Sequence, residues 1–241
     1  MRRGFTLVEL LIVIGVIAVL AGLLFPALGL VRRQVNGVKC ASNLKQIATG
    51  IEVYRQDHNE IWPGSLRELW DRTKCDYFEP GSEKILFCPL DASRGTTNSF
   101  NRPPSYGELF DIYANERGPV SYQYECSAVV LLPGTSGTPH NNGWVSWFSY
   151  VNGGHPLADG STWAEGKTNQ KQFGNLGPNG EDAPFAAEVM PAIRCWWHHP
   201  WSGGASDRMR TRVQNVSWGS NVFWSTPYWE SDANPAIPRG N

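Results

Sequence analysis

Charged residues are scarce in this chain. They make up 18% of the 241 residues, and the two signs nearly cancel to a formal net charge of −1. A dedicated nucleic-acid-binding protein needs clustered lysine and arginine to offset phosphate charge, so we expect no nucleic-acid partner. The hydrophobic share of 41% excludes a wholly disordered chain, and the composition also excludes a collagen and a coiled-coil rod.

Sequence signatures of enzyme active sites are missing as well. The chain has no GxSxG, HExxH or P-loop motif, and its acidic residues are scattered without an acid–base pair set by spacing. A CxxC motif is also absent, which leaves little support for a zinc ribbon or a redox site. We therefore expect no enzymatic activity and no catalytic residue.

The N-terminal region lacks charge almost completely, because Glu9 is the only charged residue between positions 5 and 31. About 20 apolar residues suffice to cross the hydrocarbon core of a bilayer, so this run predicts a transmembrane helix. Arg2 and Arg3 precede the run and favour a cytoplasmic N terminus.

Three interpretations of this apolar run compete. A cleaved secretory signal has an apolar core of only about 7–15 residues, which is shorter than the run seen here. A plain membrane anchor leaves Glu9 without a purpose, although a carboxylate inside hydrocarbon is costly and rare. The third interpretation gives Glu9 a function, and it rests on the residues around that carboxylate.

Residues 4–11, Gly-Phe-Thr-Leu-Val-Glu-Leu-Leu, resemble the N terminus of type IV pilins and type II secretion pseudopilins. The resemblance implies that a prepilin peptidase cleaves between Gly4 and Phe5 and that Phe5 is then N-methylated. It also implies an assembly role for Glu9, whose carboxylate would pair with the Phe5 amine of a neighbouring subunit and set the register of a polymer. Pro26 lies where pilin helices commonly carry a kink-forming proline.

The resemblance and the residue pattern together divide the chain into four parts. Residues 1–4 form a leader peptide, 5–31 the transmembrane or filament-core half of a helix, 32–58 its amphipathic half, and 59–241 a globular head. In the amphipathic half, apolar residues recur every three or four positions, which predicts one buried helix face. This face comprises Val31, Val35, Val38, Ala41, Leu44, Ile47, Ala48, Ile51 and Tyr54.

The sequence of the head predicts an α+β fold, in which the long N-terminal helix packs on an antiparallel β-sheet with long loops. The run Val120–Cys126 alternates as a half-buried strand does. Gly219-Ser220 separates two apolar runs and predicts a hairpin, and Ser65 with Glu68 predicts a capping box at the start of a short helix. Further strands are predicted at Trp144–Val151, Ile193–His198, Val213–Trp218 and Asn221–Ser225.

Residues 40–47 and 86–91 resemble segments of the large pseudopilin-like proteins that are abundant in planctomycetes. The chain departs from those proteins because it lacks the C-terminal histidine that precedes their Asp-Gly pair. Major pseudopilins as a family can bind calcium in a C-terminal loop. No calcium-binding pattern is recognisable here, so we assign no cofactor.

The five cysteines would lie in an oxidising compartment if the head is exported, and disulfides persist there. We favour pairing Cys40 with Cys88 and Cys126 with Cys195, which leaves Cys75 free, although sequence alone does not fix the connectivity. Cys195 is followed by two histidines, His198 and His199. Successive side chains on a strand point to opposite faces, so these two could not ligate one metal, and we predict no metal site.

We therefore expect a pilin-like structural subunit of a type II secretion pseudopilus or a type IV pilus-like filament. Before assembly, its tail would lie in the inner membrane and its head in the periplasm. Its partners would be the inner membrane, a prepilin peptidase, other pilin-like subunits and the secretion or assembly machinery. The sequence also supports an alternative function.

The alternative is a membrane-anchored envelope protein that binds polysaccharide through a Trp-rich head. Nine of the 11 tryptophans lie after residue 140. Exposure of Trp201 and Trp229 would favour sugar stacking, whereas tryptophan is on average a mostly buried residue, and burial would favour a role in the core.

Overall fold

A computed structural model of the chain describes residues 6–75, 77–92, 94, 120–128, 161–174, 184–198, 212–226 and 229–233. Within the helices, the side chains of residues 23–27, 30 and 231 are outside the description. Several predicted features lie outside the described residues: the cleavage site at Gly4 and Phe5, the strand at Trp144–Val151, and the side chains of His199 and Trp201.

A single helix, α1 (Leu7–Asp57), dominates the structure and confirms the prediction of one long N-terminal helix. At 1.5 Å per residue, its 51 residues extend over about 77 Å. The helix ends at His58, after which Asn59 and Glu60 adopt left-handed backbone conformations that cannot continue it.

The first half of α1 presents large apolar side chains to its surroundings. Those between Leu7 and Leu20 are exposed in the chain by itself. Among the residues that the structure describes, no helix combines the length and the apolarity needed to cross a membrane.

The second half of α1 packs on the head along one face. This face begins at Cys40 and continues through Leu44, Ile47, Ala48, Ile51 and Tyr54, all of which are buried. The predicted face extended too far towards the N terminus, because Val31, Val35 and Val38 are exposed. The sheet reaches α1 only from about Gly37 onwards, where Gln214 Nε2 donates to the Gly37 carbonyl at 3.4 Å.

The head contains a four-stranded antiparallel sheet, which confirms the predicted α+β class. Its strands β1 (Gln123–Tyr124), β2 (Pro191–Cys195), β3 (Val213–Ser217) and β4 (Val222–Ser225) are hydrogen-bonded in sequence order. The predicted hairpin at Gly219-Ser220 is confirmed, because it joins β3 to β4.

The predicted limits of β3 and β4 are each off by one residue, and those of β1 and β2 differ more. β1 is only two residues long, because the flanking backbone bonds elsewhere: Ser121 N donates to Leu86 O, and Ala128 N donates to Gly64 O. β2 ends at Cys195 rather than at His198. The chain turns away from the sheet over the three residues that follow.

Short helices complete the described head. The predicted helix after Ser65 is a 3-10 helix, Leu66–Trp70, but its capping box is absent: the Ser65 side chain makes no capping bond, and Glu68 instead accepts from Gly64 N at 3.0 Å. The remaining helices are a second 3-10 helix, Glu83–Leu86, followed by α2 (Trp163–Phe173) and α3 (Trp229–Ala233).

Candidate functional site

The start of α1 is organised by a reciprocal pair of side chains, Thr6 and Glu9. The Glu9 carboxylate accepts from Thr6 N at 2.8 Å and from Thr6 Oγ1 at 2.7 Å, while Glu9 N donates to Thr6 Oγ1 at 3.3 Å. This capping box satisfies backbone donors that a helix start otherwise leaves without partners. Thr6, the partner of Glu9, is the second residue after the predicted cleavage site. Pro26 lies inside α1, and its side chain is outside the description.

A second cluster, of buried charged side chains, lies between the sheet and α2. Glu125 is 1% exposed; Lys167 Nζ lies 3.3 Å from its Oε2, and Arg194 Nη1 lies 3.6 Å from its Oε1. Gln123 and Trp163 donate further hydrogen bonds to the same carboxylate, at 2.8 and 3.2 Å. Buried charges are tolerated only when they are paired and hydrogen-bonded in this way, so we interpret the cluster as structural.

A third cluster brings together Cys40, Cys88, Cys195 and His198, which we call the thiol cluster. The three sulfur atoms and a ring nitrogen of His198 all lie within 4.8 Å of one another. Cys88 Sγ is 3.5 Å from His198 Nε2. The three cysteines are buried and the histidine is partly buried.

Each member of the thiol cluster is positioned by a different segment. Cys40 lies on the buried face of α1, and Cys195 is the last residue of β2. Cys88 starts a tight turn in which Asp91 N donates to the Cys88 carbonyl at 2.9 Å, and the Asp91 carboxylate accepts from the buried Ser121 hydroxyl at 2.6 Å. The turn after β2 is anchored by Trp197, whose Nε1 donates to Ser121 O at 3.1 Å.

Polar groups around the thiol cluster point at its sulfur atoms. Leu90 N donates to Cys88 Sγ at 3.5 Å, and Cys88 Sγ lies 3.5 Å from His198 Nε2. Asn43, three residues after Cys40 on α1, donates to the hydroxyl of the buried Tyr122 at 3.4 Å and to the Phe87 carbonyl at 3.2 Å. The sulfur atoms therefore lie among hydrogen-bond donors.

The electrostatics differ between the thiols. Hydrogen bonds from Cys195 and Cys40, together with those from His198 and Leu90 N, lower the pKa of the Cys88 thiol. Burial and the neighbouring sulfur atoms raise the pKa of the Cys195 thiol. Cys88 is therefore the thiol that most readily becomes a thiolate, the form that binds metals and attacks disulfides.

Comparison with known proteins identifies the N-terminal segment. Residues 1–25 match the family described as the prokaryotic N-terminal methylation motif. A 57-residue stretch is 42% identical to the type IV wide pilus major component PilA4 of Thermus thermophilus. The N-terminal segment is type IV pilin-like. The matched stretch covers 24% of this chain and 44% of the relative, so it spans less than half of the relative's length. No solved structure matches the chain.

One of the two disulfides favoured from the sequence, Cys126–Cys195, is incompatible with the sheet register. The five cysteines, all within the described part of the chain, are free thiols. Gln123 pairs with Arg194 and Tyr124 with Ile193, so Cys126 and Cys195 lie at opposite ends of the paired region. Their separation along the strands is roughly 13 Å, whereas a disulfide requires Cα atoms within about 7 Å.

The other favoured pairing, Cys40 with Cys88, joins residues that the structure does bring together, but in company with Cys195 and His198. We predicted no metal site here because a strand through His198 and His199 would turn their side chains to opposite faces. The strand β2 ends at Cys195, so that reason does not apply to His198. The spacing Cys195-x-x-His198 was the available signal, because a turn can bring residues three apart to a common centre.

The tryptophans of the head that the structure describes serve mainly in packing. Trp163 and Trp229 are each 2% exposed, and the Trp229 ring packs on Phe185 with centroids 4.8 Å apart. Trp224, in contrast, is exposed. Burial of Trp229 removes one of the two rings whose exposure would have favoured a sugar-binding surface.

Proposed function

We propose that this chain is a pilin-like structural subunit that is trimmed by a prepilin peptidase between Gly4 and Phe5 and N-methylated at Phe5. It then assembles into a type IV pilus-like filament or a type II secretion pseudopilus. The match of residues 1–25 to the N-terminal methylation motif carries the proposal, because that segment includes the predicted cleavage site and Glu9. Its work is mechanical rather than enzymatic.

The first half of α1 fits this proposal. From Leu10 to Val31 the sequence has no charged residue, and the large apolar side chains between Leu7 and Leu20 are exposed in the isolated subunit. We propose that this half is held in the inner membrane before assembly and among neighbouring helices afterwards. The exchange replaces apolar lipid contacts by apolar protein contacts, so its free energy is nearly balanced and assembly machinery can drive it.

The head would remain on the periplasmic side and form the outer part of the filament. Subunits joined through two different, complementary surfaces form a helical filament when the rotation between them does not close a ring. The partners are therefore further pilin-like subunits, a prepilin peptidase and the assembly machinery, with the inner membrane as the place where they meet.

Mass spectrometry of the native N terminus tests the proposal directly. The expected product lacks residues 1–4 and carries a methyl group on Phe5. A Gly4→Leu variant should keep its leader, because the peptidase would no longer accept the bond, whereas a Gly15→Leu variant should be processed normally. An intact Met1 in the native protein, or a cut downstream of Pro26, would overturn the proposal.

A further inference from the structure

We propose that Cys40, Cys88, Cys195 and His198 form a tetrahedral zinc site that fastens α1 to the sheet of the head. The four ligands come from three segments that are far apart in sequence: α1, the turn that starts at Cys88, and the end of β2 with the turn after it. The site is independent of the assembly function, since its ligands lie in the second half of α1 and in the head, outside the N-terminal segment 1–25.

The distances within the thiol cluster match the edges of a zinc tetrahedron. Zinc–sulfur and zinc–nitrogen bonds of about 2.3 and 2.0–2.1 Å place two sulfur ligands about 3.8 Å apart and a sulfur and a nitrogen about 3.6 Å apart. Cys88 Sγ and His198 Nε2 are 3.5 Å apart, and the remaining ligand atoms lie within 4.8 Å. Small side-chain rotations therefore suffice to close the four atoms around one ion.

The ligand chemistry selects the ion. Three thiolates and one imidazole are soft and borderline ligands, which suit Zn²⁺, whereas calcium and magnesium require oxygen ligands that this cluster does not contain. Four protein ligands fill the tetrahedron, as in structural rather than catalytic zinc sites. Binding converts the three thiols to thiolates and releases their protons.

Polar groups around the cluster hold its members in place. The backbone N–H of Leu90 donates to Cys88 Sγ at 3.5 Å, and the Tyr122 hydroxyl accepts from Asn43 Nδ2. Asn43, from the same helix as Cys40, holds that hydroxyl and also the carbonyl next to Cys88. Outer partners of this kind orient metal ligands, and a disulfide needs none of them.

A Cys40–Cys88 disulfide would use only two of the four clustered side chains, whereas a zinc ion would use all four. Joining Cys40 to Cys88 would leave Cys195 as a buried thiol beside His198. A metal ion uses all four groups at once. The two states exclude each other, because a sulfur atom bound in a disulfide is no longer a thiolate ligand.

The test uses the full chain, purified in detergent, stripped of metal under reducing conditions and then titrated with Zn²⁺. We expect one Zn²⁺ per chain by elemental analysis and a higher unfolding temperature. The variants Cys195→Ser and His198→Ala should each lower the Zn²⁺ affinity at least about 100-fold, because even outer-shell changes cost about 10–100-fold. The matched control, Cys75→Ser, alters another buried cysteine and should bind zinc like the unaltered chain.

Cobalt provides a readout that does not depend on the variants. Unaltered chain loaded with Co²⁺ should show the sulfur-to-cobalt charge-transfer band and visible bands of a tetrahedral site. Absence of these bands, equal Zn²⁺ binding by Cys195→Ser and Cys75→Ser, or a Cys40–Cys88 disulfide in peptides mapped from native membranes would each overturn the proposal.

Discussion

Gly50 of α1 lies directly against the ring of Phe78. A Cβ built on Gly50 would overlap with the Phe78 ring, which is itself stacked on Trp70 with centroids 4.2 Å apart and planes 8° apart. The ring has little room to retreat, because Phe78 is buried in the main core. Glycine lowers the intrinsic stability of a helix, but at position 50 it allows the head to pack closely against α1.

We predict opposite effects for two glycine substitutions in α1. Gly50→Ala should destabilise the protein by about 1–3 kcal/mol, as overpacking of a core does. Gly37→Ala should stabilise it by up to about 1 kcal/mol, because nothing lies within 4 Å of its added Cβ and alanine is the better helix former. Urea unfolding of the full chain in detergent, followed by tryptophan fluorescence, measures both. Changes of the same sign would contradict the packing argument.

The buried carboxylate of Glu125 should be essential for stability. Glu125→Gln leaves Lys167 and Arg194 without their shared counter-charge, and breaking a buried ion pair costs about 3–5 kcal/mol. The control is Glu79→Gln, since Glu79 forms an exposed ion pair with Arg72, and such pairs contribute at most about 1 kcal/mol. The same unfolding measurements compare the two variants, and equal losses would show that the buried cluster is not paired as described.

The parts of the fold that follow from local sequence were predictable. α1 follows from apolar spacing, and the β3–β4 hairpin follows from Gly219-Ser220 between two apolar runs. The helix α2 was missed, although Thr162 and Glu165 form a capping box at its start, with Glu165 N donating to Thr162 Oγ1 at 3.2 Å. Its mostly polar sequence has no clear apolar stripe, which is why periodicity did not reveal it.

The thiol cluster illustrates what sequence alone does not supply. Cys40, Cys88 and Cys195 are brought together by tertiary packing of a helix, a turn and a strand, and no spacing between them encodes that meeting. The spacing Cys195-x-x-His198 indicates a shared site only when β2 is known to end at Cys195. The same limit applies to the predicted Cys126–Cys195 disulfide. The register between β1 and β2 keeps these two cysteines apart, and the sequence does not give that register.

Glu230 should make stability depend on pH. Burial raises its pKa above the ordinary value of 4.5, and the opposing effects of Lys167 and Arg194 only partly offset this. The folded state thus holds the proton more tightly than the unfolded state does. The stability linked to this proton is complete below pH 4.5 and is lost as the pH rises through the raised pKa.

The variant Glu230→Gln removes this pH dependence while keeping an oxygen that can accept from Gln170 Nε2, as Glu230 Oε1 does at 3.3 Å. We expect the variant to match the unaltered protein near pH 4 and to become progressively more stable than it towards about pH 7. Unfolding free energies measured across this range test the sign. A difference that shrinks as the pH rises would contradict the raised pKa.

The assembly role of Glu9 can be separated from its role at the helix start. Glu9→Ala and Thr6→Ala both break the capping box and should cost the helix similar amounts, about 1 kcal/mol. Only Glu9→Ala removes the carboxylate that we propose pairs with the Phe5 amine of a neighbouring subunit. We therefore expect Glu9→Ala to reach the membrane but form no filaments, and Thr6→Ala to assemble. Immunoblots of membrane and sheared-filament fractions distinguish them; equal defects would assign Glu9 to helix capping alone.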